Sequence, residues 1–165
     1  TYAYRAADIT PAATPTDVLA LVGAAGKIIR ITKIGVSGSA TAAALLSVYI
    51  TKRTALNTGG TSTNPVATKY DSLDATTAAT VVLYSANPSA LGAGTGLEGD
   101  KIYLPALVSP ANAPTHWMVD YTGSEAKCPM LRNASESISI NFAGATLATG
   151  TSLYLYFEWT EEFGA

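Results

Sequence analysis

The sequence has few of the residues that carry most protein chemistry. Its 165 residues include one cysteine, Cys128, and one histidine, His116. A single thiol excludes an internal disulfide framework and a metal site built from several thiolates. A general-base histidine needs a nucleophile and an orienting carboxylate, and the spacing of residues identifies neither. We therefore predict no enzyme activity, no cofactor and no metal site, with His116 at the surface and Cys128 an incidental or buried thiol.

Charge is the second shortage. Charged residues make up 13% of the chain, whereas ~25% is usual for a globular domain. The 10 Lys+Arg and 12 Asp+Glu leave a net charge of −2, so a basic nucleic-acid-binding surface is not expected. The apolar content of 48% excludes disorder. No apolar run reaches the ~18 residues of a membrane-spanning helix. We therefore expect neither nucleic acid nor a membrane among the partners.

Three short motifs resemble functional sites but are better explained as local structure. The glycine run at residues 92–96 is followed neither by a helix nor by the Lys-Ser/Thr of a phosphate loop. Asp71 and Asp74 offer too few oxygen ligands for calcium and suit a turn capped by carboxylates. Asn133-Ala-Ser135 fits a glycosylation sequon. Because the chain begins Thr-Tyr-Ala-Tyr-Arg without an apolar signal core, we expect a cytosolic product without this modification.

The dominant hydrophobic period is two, which is typical of β-strands. Residues 151–160 alternate apolar and polar side chains, and residues 136–142 repeat the pattern. The side chains predicted to face the core are Leu153, Leu155, Phe157 and Trp159 in the first run and Ile138, Ile140 and Phe142 in the second. A small-residue connection, 143–150, joins the two runs, so we predict that they are adjacent antiparallel strands.

The rest of the chain has the same character. Strands are predicted at residues 16–22, 27–36, 46–53, 66–70, 78–84, 101–108, 116–121 and 127–132. For residues 17–22 a short helix is the alternative. In 27–36 the apolar phase slips near Thr32-Lys33, which predicts a β-bulge. Long polar connections at 57–65, 85–99 and 109–115 are of the kind that is functional or poorly ordered. The sequence therefore predicts an all-β sandwich or jelly roll of about eight to ten antiparallel strands, formed by a single domain at 16–165 after an N-terminal arm at 1–15.

Tyrosines are the residues most suggestive of binding. Tyr154 and Tyr156 lie on the polar face of the last strand, opposite its core face. Exposed tyrosines at alternate positions can stack on sugar rings or become buried against another protein. Tyr2, Tyr4 and Arg5 lie in the predicted arm, which would be ordered chiefly by docking on something. We predict interface roles for these five residues.

Several stretches resemble small structural proteins of tailed-bacteriophage virions. They are residues 26–41, beginning Gly-Lys-Ile-Ile-Arg-Ile, residues 46–62, beginning Leu-Ser-Val-Tyr-Ile, and the ending, with Ser-Glu-Ser-Ile-Ser-Ile-Asn-Phe at 135–142 and Phe-Glu-Trp-Thr-Glu-Glu at 157–162. The resemblance implies a β-sandwich or jelly-roll subunit that decorates or cements a phage head. It implies a homodimer or homotrimer on the capsid surface, made in the bacterial host cytoplasm, with the major capsid protein as partner. It transfers no active-site residues.

The low charge agrees with that role, because interface cores are depleted in charged residues. We therefore expect a non-enzymatic capsid decoration or cement protein that stabilises contacts between major capsid subunits. Two alternatives remain. One is a tail or head-fibre component of the virion. The other is a carbohydrate-binding β-sandwich that uses Tyr154, Tyr156 or Trp117 as a stacking platform.

Overall fold

The computed structural model describes residues 1–107, 114–123 and 127–164. Twelve β-strands lie in these ranges. No α-helix occurs in those ranges, so the predicted all-β class is confirmed. The strands, in chain order, are β1 Tyr2–Ile9, β2 Asp17–Val22, β3 Lys27–Ser39, β4 Ala44–Arg53, β5 Thr61–Thr63, β6 Thr68–Lys69, β7 Thr80–Ala86, β8 Gly94–Leu104, β9 Thr115–Asp120, β10 Met130–Leu131, β11 Ser137–Asn141 and β12 Ser152–Phe163.

The strands form two antiparallel sheets that enclose one hydrophobic core. The first sheet has the order β10-β3-β12-β1-β6, and β9 pairs with β3 on the same side as β10. The second sheet has the order β5-β7-β2-β11-β4-β8. This architecture is a β-sandwich, as predicted.

Eight of the strands have jelly-roll connectivity. Pairing is nested: β1 pairs with β12, β2 with β11, β3 with β9 and β4 with β8. The result is a β1-β12-β3-β9 layer facing a β2-β11-β4-β8 layer, which is the double Greek key of the jelly roll. The other four strands extend the edges of these two layers.

The period-two pattern locates the core correctly. Leu153, Leu155, Phe157 and Trp159 of β12 are all fully buried. Across the core, Ile138 and Ile140 of β11 and Leu46, Val48 and Ile50 of β4 are also buried. Each of these strands places alternate residues on its inner face.

The predicted bulge is present in β3. Lys33 pairs with Glu158 and Ile31 pairs with Trp159, so Thr32 is the extra residue. The insertion returns Ile31 and Ile34 to the same side of the sheet, and both are fully buried.

The prediction that the last two strands are neighbours is wrong. β11 pairs with β2 and β4 in the second sheet, whereas β12 pairs with β1 and β3 in the first. The connection between them passes from one sheet to the other at the strand ends, and it begins with Ala143 and Gly144, both of which have positive φ. Alternation fails to distinguish the two arrangements, because both strands bury one face in the same core whether they share a sheet or oppose each other.

The N-terminal segment also differs from the expected arm. Tyr2–Ile9 form β1, which is paired with β12 on one edge and with β6 on the other. Tyr2 is 7% exposed, and its ring stacks on Trp159 with 6.0 Å between ring centroids. The physical reason is again period two, since Tyr2, Tyr4 and Ala6 pair with inward-facing residues of β12.

The long connections 54–60 and 87–93 hold each other in place. The backbones of Thr58 and Ala90 form an isolated antiparallel bridge, and the Thr54 N–H donates to the Ala93 carbonyl over 2.8 Å. The 85–99 connection is shorter than predicted, because β8 begins at Gly94 and pairs with the end of β4.

A buried ion pair between Arg53 and Asp17 anchors these two loops to the second sheet. Arg53 Nε and Nη2 donate to the two carboxylate oxygens of Asp17 over 2.6 and 2.7 Å. Arg53 Nη1 also donates to the Gly92 carbonyl, and Asn57 donates to Asp17 while accepting from the Gly92 N–H. Asn141 supplies a further donor to Asp17. Burial raises the pKa of Asp17, but the hydrogen bonds from Arg53, Asn141 and Asn57 and the Arg53 charge outweigh it, so the pKa lies below its ordinary value.

Candidate functional site

A groove lined by tyrosines crosses the outer face of the first sheet. Its central row is set by strand register: Met118 of β9 pairs with Gly35 of β3, Gly35 pairs with Tyr156 of β12, and Tyr156 pairs with Arg5 of β1. Because Gly35 has no side chain, the sheet surface has a depression between the side chains of Met118 and Tyr156. We call this feature the tyrosine groove.

The tyrosine groove consists of two adjoining cavities. The larger, about 410 Å³, lies over β9, β3 and β12, and the smaller, about 320 Å³, lies over β12, β1 and β6. Arg5, Tyr70 and Tyr156 line both cavities, so they form the boundary between the two. Both volumes fall in the ~300–1,000 Å³ range of small-molecule sites.

A carboxylate, Glu158, organises one wall of the groove. Glu158 Oε2 accepts hydrogen bonds from the Tyr156 hydroxyl over 2.8 Å and from the Tyr70 hydroxyl over 3.2 Å. Its Oε1 accepts from Thr32 over 2.9 Å and lies 3.5 Å from Lys33 Nζ. Burial raises the pKa of Glu158, but these hydrogen bonds and the Lys33 charge outweigh it, so the pKa is below its ordinary value.

The tyrosine hydroxyls are also held by hydrogen bonds. The hydroxyls of Tyr70 and Tyr156 lie 2.9 Å apart, and that of Tyr154 donates to Asp8. Burial and the bonds to Tyr70 and Glu158 raise the pKa of Tyr156, and the bond to Asp8 followed by burial raises that of Tyr154. The hydroxyls of Tyr154 and Tyr156 therefore stay protonated at neutral pH, and the hydrogen bonds hold the tyrosine rings in fixed positions.

The cationic side chains differ in how fully they are engaged. Lys33 is paired with Glu158. The Arg5 guanidinium lies over the Tyr156 ring, 5.5 Å from its centroid, and Arg5 is exposed. His116 is exposed at the far end of the larger cavity. The groove therefore has one carboxylate, already bound, and a guanidinium that faces solvent.

The five residues predicted as interface residues separate into two groups. The structure brings Arg5, Tyr154 and Tyr156 together in the tyrosine groove. Tyr2 and Tyr4 lie on the opposite face of β1 and pack against the core. Trp117 also packs partly against the core, on the face of β9 opposite His116 and Met118, so it is not part of the groove.

Sequence reasoning missed Tyr70, Glu158 and Gly35 as members of this surface. Tyr70 follows β6 and reaches the groove because the short β6 strand pairs with β1. Glu158 is visible in the sequence as a charged residue on the tyrosine face of the last strand, at i+2 from Tyr156. That spacing is a usable signal. Gly35 carries no signal, because its position opposite Tyr156 is set by sheet register.

A second surface stands out on the other sheet. Leu45 of β4 is 69% exposed and is paired with Tyr103 of β8, which is 52% exposed. Two pairs further along the same face, the Tyr49 ring lies over Gly99. β8 is an edge strand of 11 residues. We call Leu45, Tyr49 and Tyr103 the β4–β8 face.

Other chemistry is scarce in the part of the chain that the structure describes. It contains no group of three or more His, Cys, Asp and Glu placed to hold a metal ion. It also contains no helix with the length and apolar character to cross a membrane. Cys128 is buried, and its thiol donates to the Tyr121 carbonyl over 3.4 Å.

Comparison of the chain with protein-family models, with curated proteins and with solved structures finds no match. Functional inference therefore depends on the two surfaces described above.

Proposed function

We propose that the chain is a non-enzymatic structural subunit of a phage virion, a decoration or cement protein that binds the capsid surface. The observation that carries the proposal is the β4–β8 face, where Leu45 and Tyr103 present neighbouring apolar side chains to solvent. Exposed apolar neighbours beside a polar surround are typical of protein interaction sites.

Three further features support a role in assembly. No described strand pairs with the outer edge of β8, and a long free edge is a template for pairing with another chain. The low charge, 13% of residues, suits a surface that is covered by neighbours. The jelly roll itself occurs in viral capsid and lectin domains. In this proposal the β4–β8 face contacts the major capsid protein, and a second copy of the chain pairs along β8.

The proposal is tested by charging this face. Leu45→Asp and Tyr103→Asp change exposed side chains, so the fold is expected to remain intact. The matched control is Leu73→Asp, which changes a 91% exposed leucine in the β6–β7 connection. We expect the double variant to bind capsids of the parent phage at least tenfold more weakly, with the control unchanged.

Two measurements decide the outcome. Sedimentation of each variant with purified capsids gives the binding, and solution mass gives the oligomeric state. A wild-type chain that remains monomeric and does not sediment with capsids would refute the proposal. Density for the chain on the tail or on a head fibre of the intact particle, instead of on the head surface, would favour the tail or fibre alternative.

A further inference from the structure

We propose that the tyrosine groove binds an acidic saccharide, a glycan with a carboxylate on one of its sugar rings. This inference does not depend on the virion role. The inference is based on three neighbouring features: the depression at Gly35, the hydrogen-bonded tyrosines Tyr70, Tyr154 and Tyr156, and the guanidinium of Arg5.

The shape of the groove suits an extended ligand. The groove runs across β9, β3, β12, β1 and β6, and at ~4.8 Å between strands it spans about 19 Å. The strands at its centre are hydrogen-bonded on both edges. A peptide that adds a strand needs a free edge, and among the described strands of the floor such an edge lies only at the outer strands β9 and β6, not along the centre of the groove. The groove therefore favours a ligand recognised through rings and side chains.

Gly35 creates the depression at the centre of the floor. A Cβ at this position would lie 3.6 Å from Tyr156 Cβ and 3.7 Å from the Trp117 carbonyl oxygen, both ordinary contact distances. Its φ lies outside the positive range that favours glycine. Neither packing nor the backbone therefore requires glycine here, and what its missing side chain provides is open volume.

The aromatic lining is prepared for stacking. Tyr70, Tyr154 and Tyr156 each have the hydroxyl bound, to one another or to Glu158 and Asp8. Rings fixed in this way lose little conformational freedom when a ligand binds. Tyrosine rings combine an apolar face with a polar end, which matches a sugar ring that has both C–H and hydroxyl surfaces.

The charged residues of the groove favour a ligand that carries a carboxylate. Glu158 already accepts from Thr32, Tyr70 and Tyr156 and is paired with Lys33. Across the described residues, the Arg5 guanidinium makes only its contact with the Tyr156 ring, so its donors are available at the junction of the two cavities. Arginine binds carboxylates through two parallel hydrogen bonds. A carboxylated sugar stacked in the groove would satisfy it.

The experiment begins with a glycan array that carries uronic-acid, sialic-acid and neutral oligosaccharides. The strongest acidic binder is then measured by calorimetry beside its methyl ester, which keeps the rings and removes the charge. We expect the acid to bind at least tenfold more tightly than the ester, with an affinity that falls as salt is added.

Two variants locate the site, and each has a matched control. Arg5→Gln should remove the preference for acid over ester, and Arg132→Gln, on an exposed arginine away from the groove, should leave it unchanged. Gly35→Leu should fill the floor and weaken acid and ester alike, while Gly35→Ala confirms that a side chain at this position is compatible with folding. Each variant is checked by its unfolding transition.

Three results would overturn the inference. They are an array on which no acidic glycan binds more strongly than the neutral ones, acid binding that is unchanged in Arg5→Gln, and poly-glutamate binding as tightly as the acidic glycan. The last result would indicate a site for acidic peptides. Loss of capsid binding on Leu45→Asp with glycan binding retained would show that the two surfaces act separately.

Discussion

Replacing Arg53 by methionine should destabilise the protein far more than its position at the end of a strand suggests. Arg53 is 5% exposed and Asp17 is fully buried, and the two groups share a bidentate contact. Methionine keeps much of the side-chain volume and removes the charge. Among the described residues, Asp17 is then left in the interior with the amides of Asn57 and Asn141 as its remaining side-chain donors.

The magnitude follows from the cost of leaving one charge of a buried pair without its partner. Removing one member of such a pair typically costs about 3–5 kcal/mol. For a domain of this size, each kcal/mol lowers Tm by roughly 2–4 °C, so the midpoint should fall by roughly 6–20 °C. The bond from Arg53 to the Gly92 carbonyl is lost as well, so residues 86–93 should become more susceptible to proteolysis.

The assay is urea unfolding followed by tryptophan fluorescence, with Lys52→Met as the matched control on the same strand. Lys52 pairs with Glu136 over 3.5 Å at a partly exposed site, and such pairs contribute about 0–1 kcal/mol. The double variant Asp17→Leu with Arg53→Met should recover part of the loss, because no unpaired charge remains. A cost below about 1 kcal/mol for Arg53→Met, equal to that of Lys52→Met, would refute this account.

Further predictions concern pH, the N-terminal strand and two glycines. Folding lowers the pKa of Asp17. The stability that its carboxylate contributes is therefore present above the unfolded pKa of ~3.9 and is lost as pH falls through the folded pKa. The free energies of unfolding measured at pH 7 and at pH 3 should therefore differ by less in Asp17→Asn than in the wild type. Tyr2→Ala removes a buried ring that stacks on Trp159 and should cost about 3–5 kcal/mol in urea unfolding, whereas Tyr49→Ala, at a 41% exposed position, should cost less than about 1 kcal/mol. Gly38→Ala would place a Cβ 2.5 Å from the Ser152 carbonyl oxygen and should lower the free energy of unfolding by about 1–3 kcal/mol. Gly35→Ala should stay within about 0.5 kcal/mol of the wild type. Equal losses of stability in the two variants would show that the space around these glycines does not determine the effect.

Much of the fold follows from the sequence, because strand faces are encoded locally. Alternation at residues 151–160 gives the buried face of β12, and the slip near Thr32 gives the bulge in β3. The sheet to which a strand belongs is not encoded in this way. β11 and β12 follow each other in the chain and bury one face each in the same core, yet they lie in opposite sheets. Only the nested pairing of the whole chain determines that arrangement.

The candidate site was predictable in part for the same reason. Tyr154 and Tyr156 are on the outer face because they alternate with core residues in a single strand. Arg5 and Tyr70 approach them only because β1 pairs with β12 and β6 pairs with β1. Contacts between residues so far apart in the chain depend on strand register, which a single sequence does not reveal.

The nested pairing also has a consequence for the order in which the protein can fold. β12 leaves the ribosome after the eleven other described strands, yet it lies in the middle of the first sheet, with Tyr2 paired to Trp159. Until β12 arrives, β1 and β3 lack the strand that separates them and leave apolar side chains uncovered. Contacts between residues this distant in sequence make folding slow, in the range of milliseconds to seconds or longer for all-β domains. The first sheet can therefore close only after translation has passed Phe163, and until then its uncovered apolar side chains expose the nascent chain to aggregation.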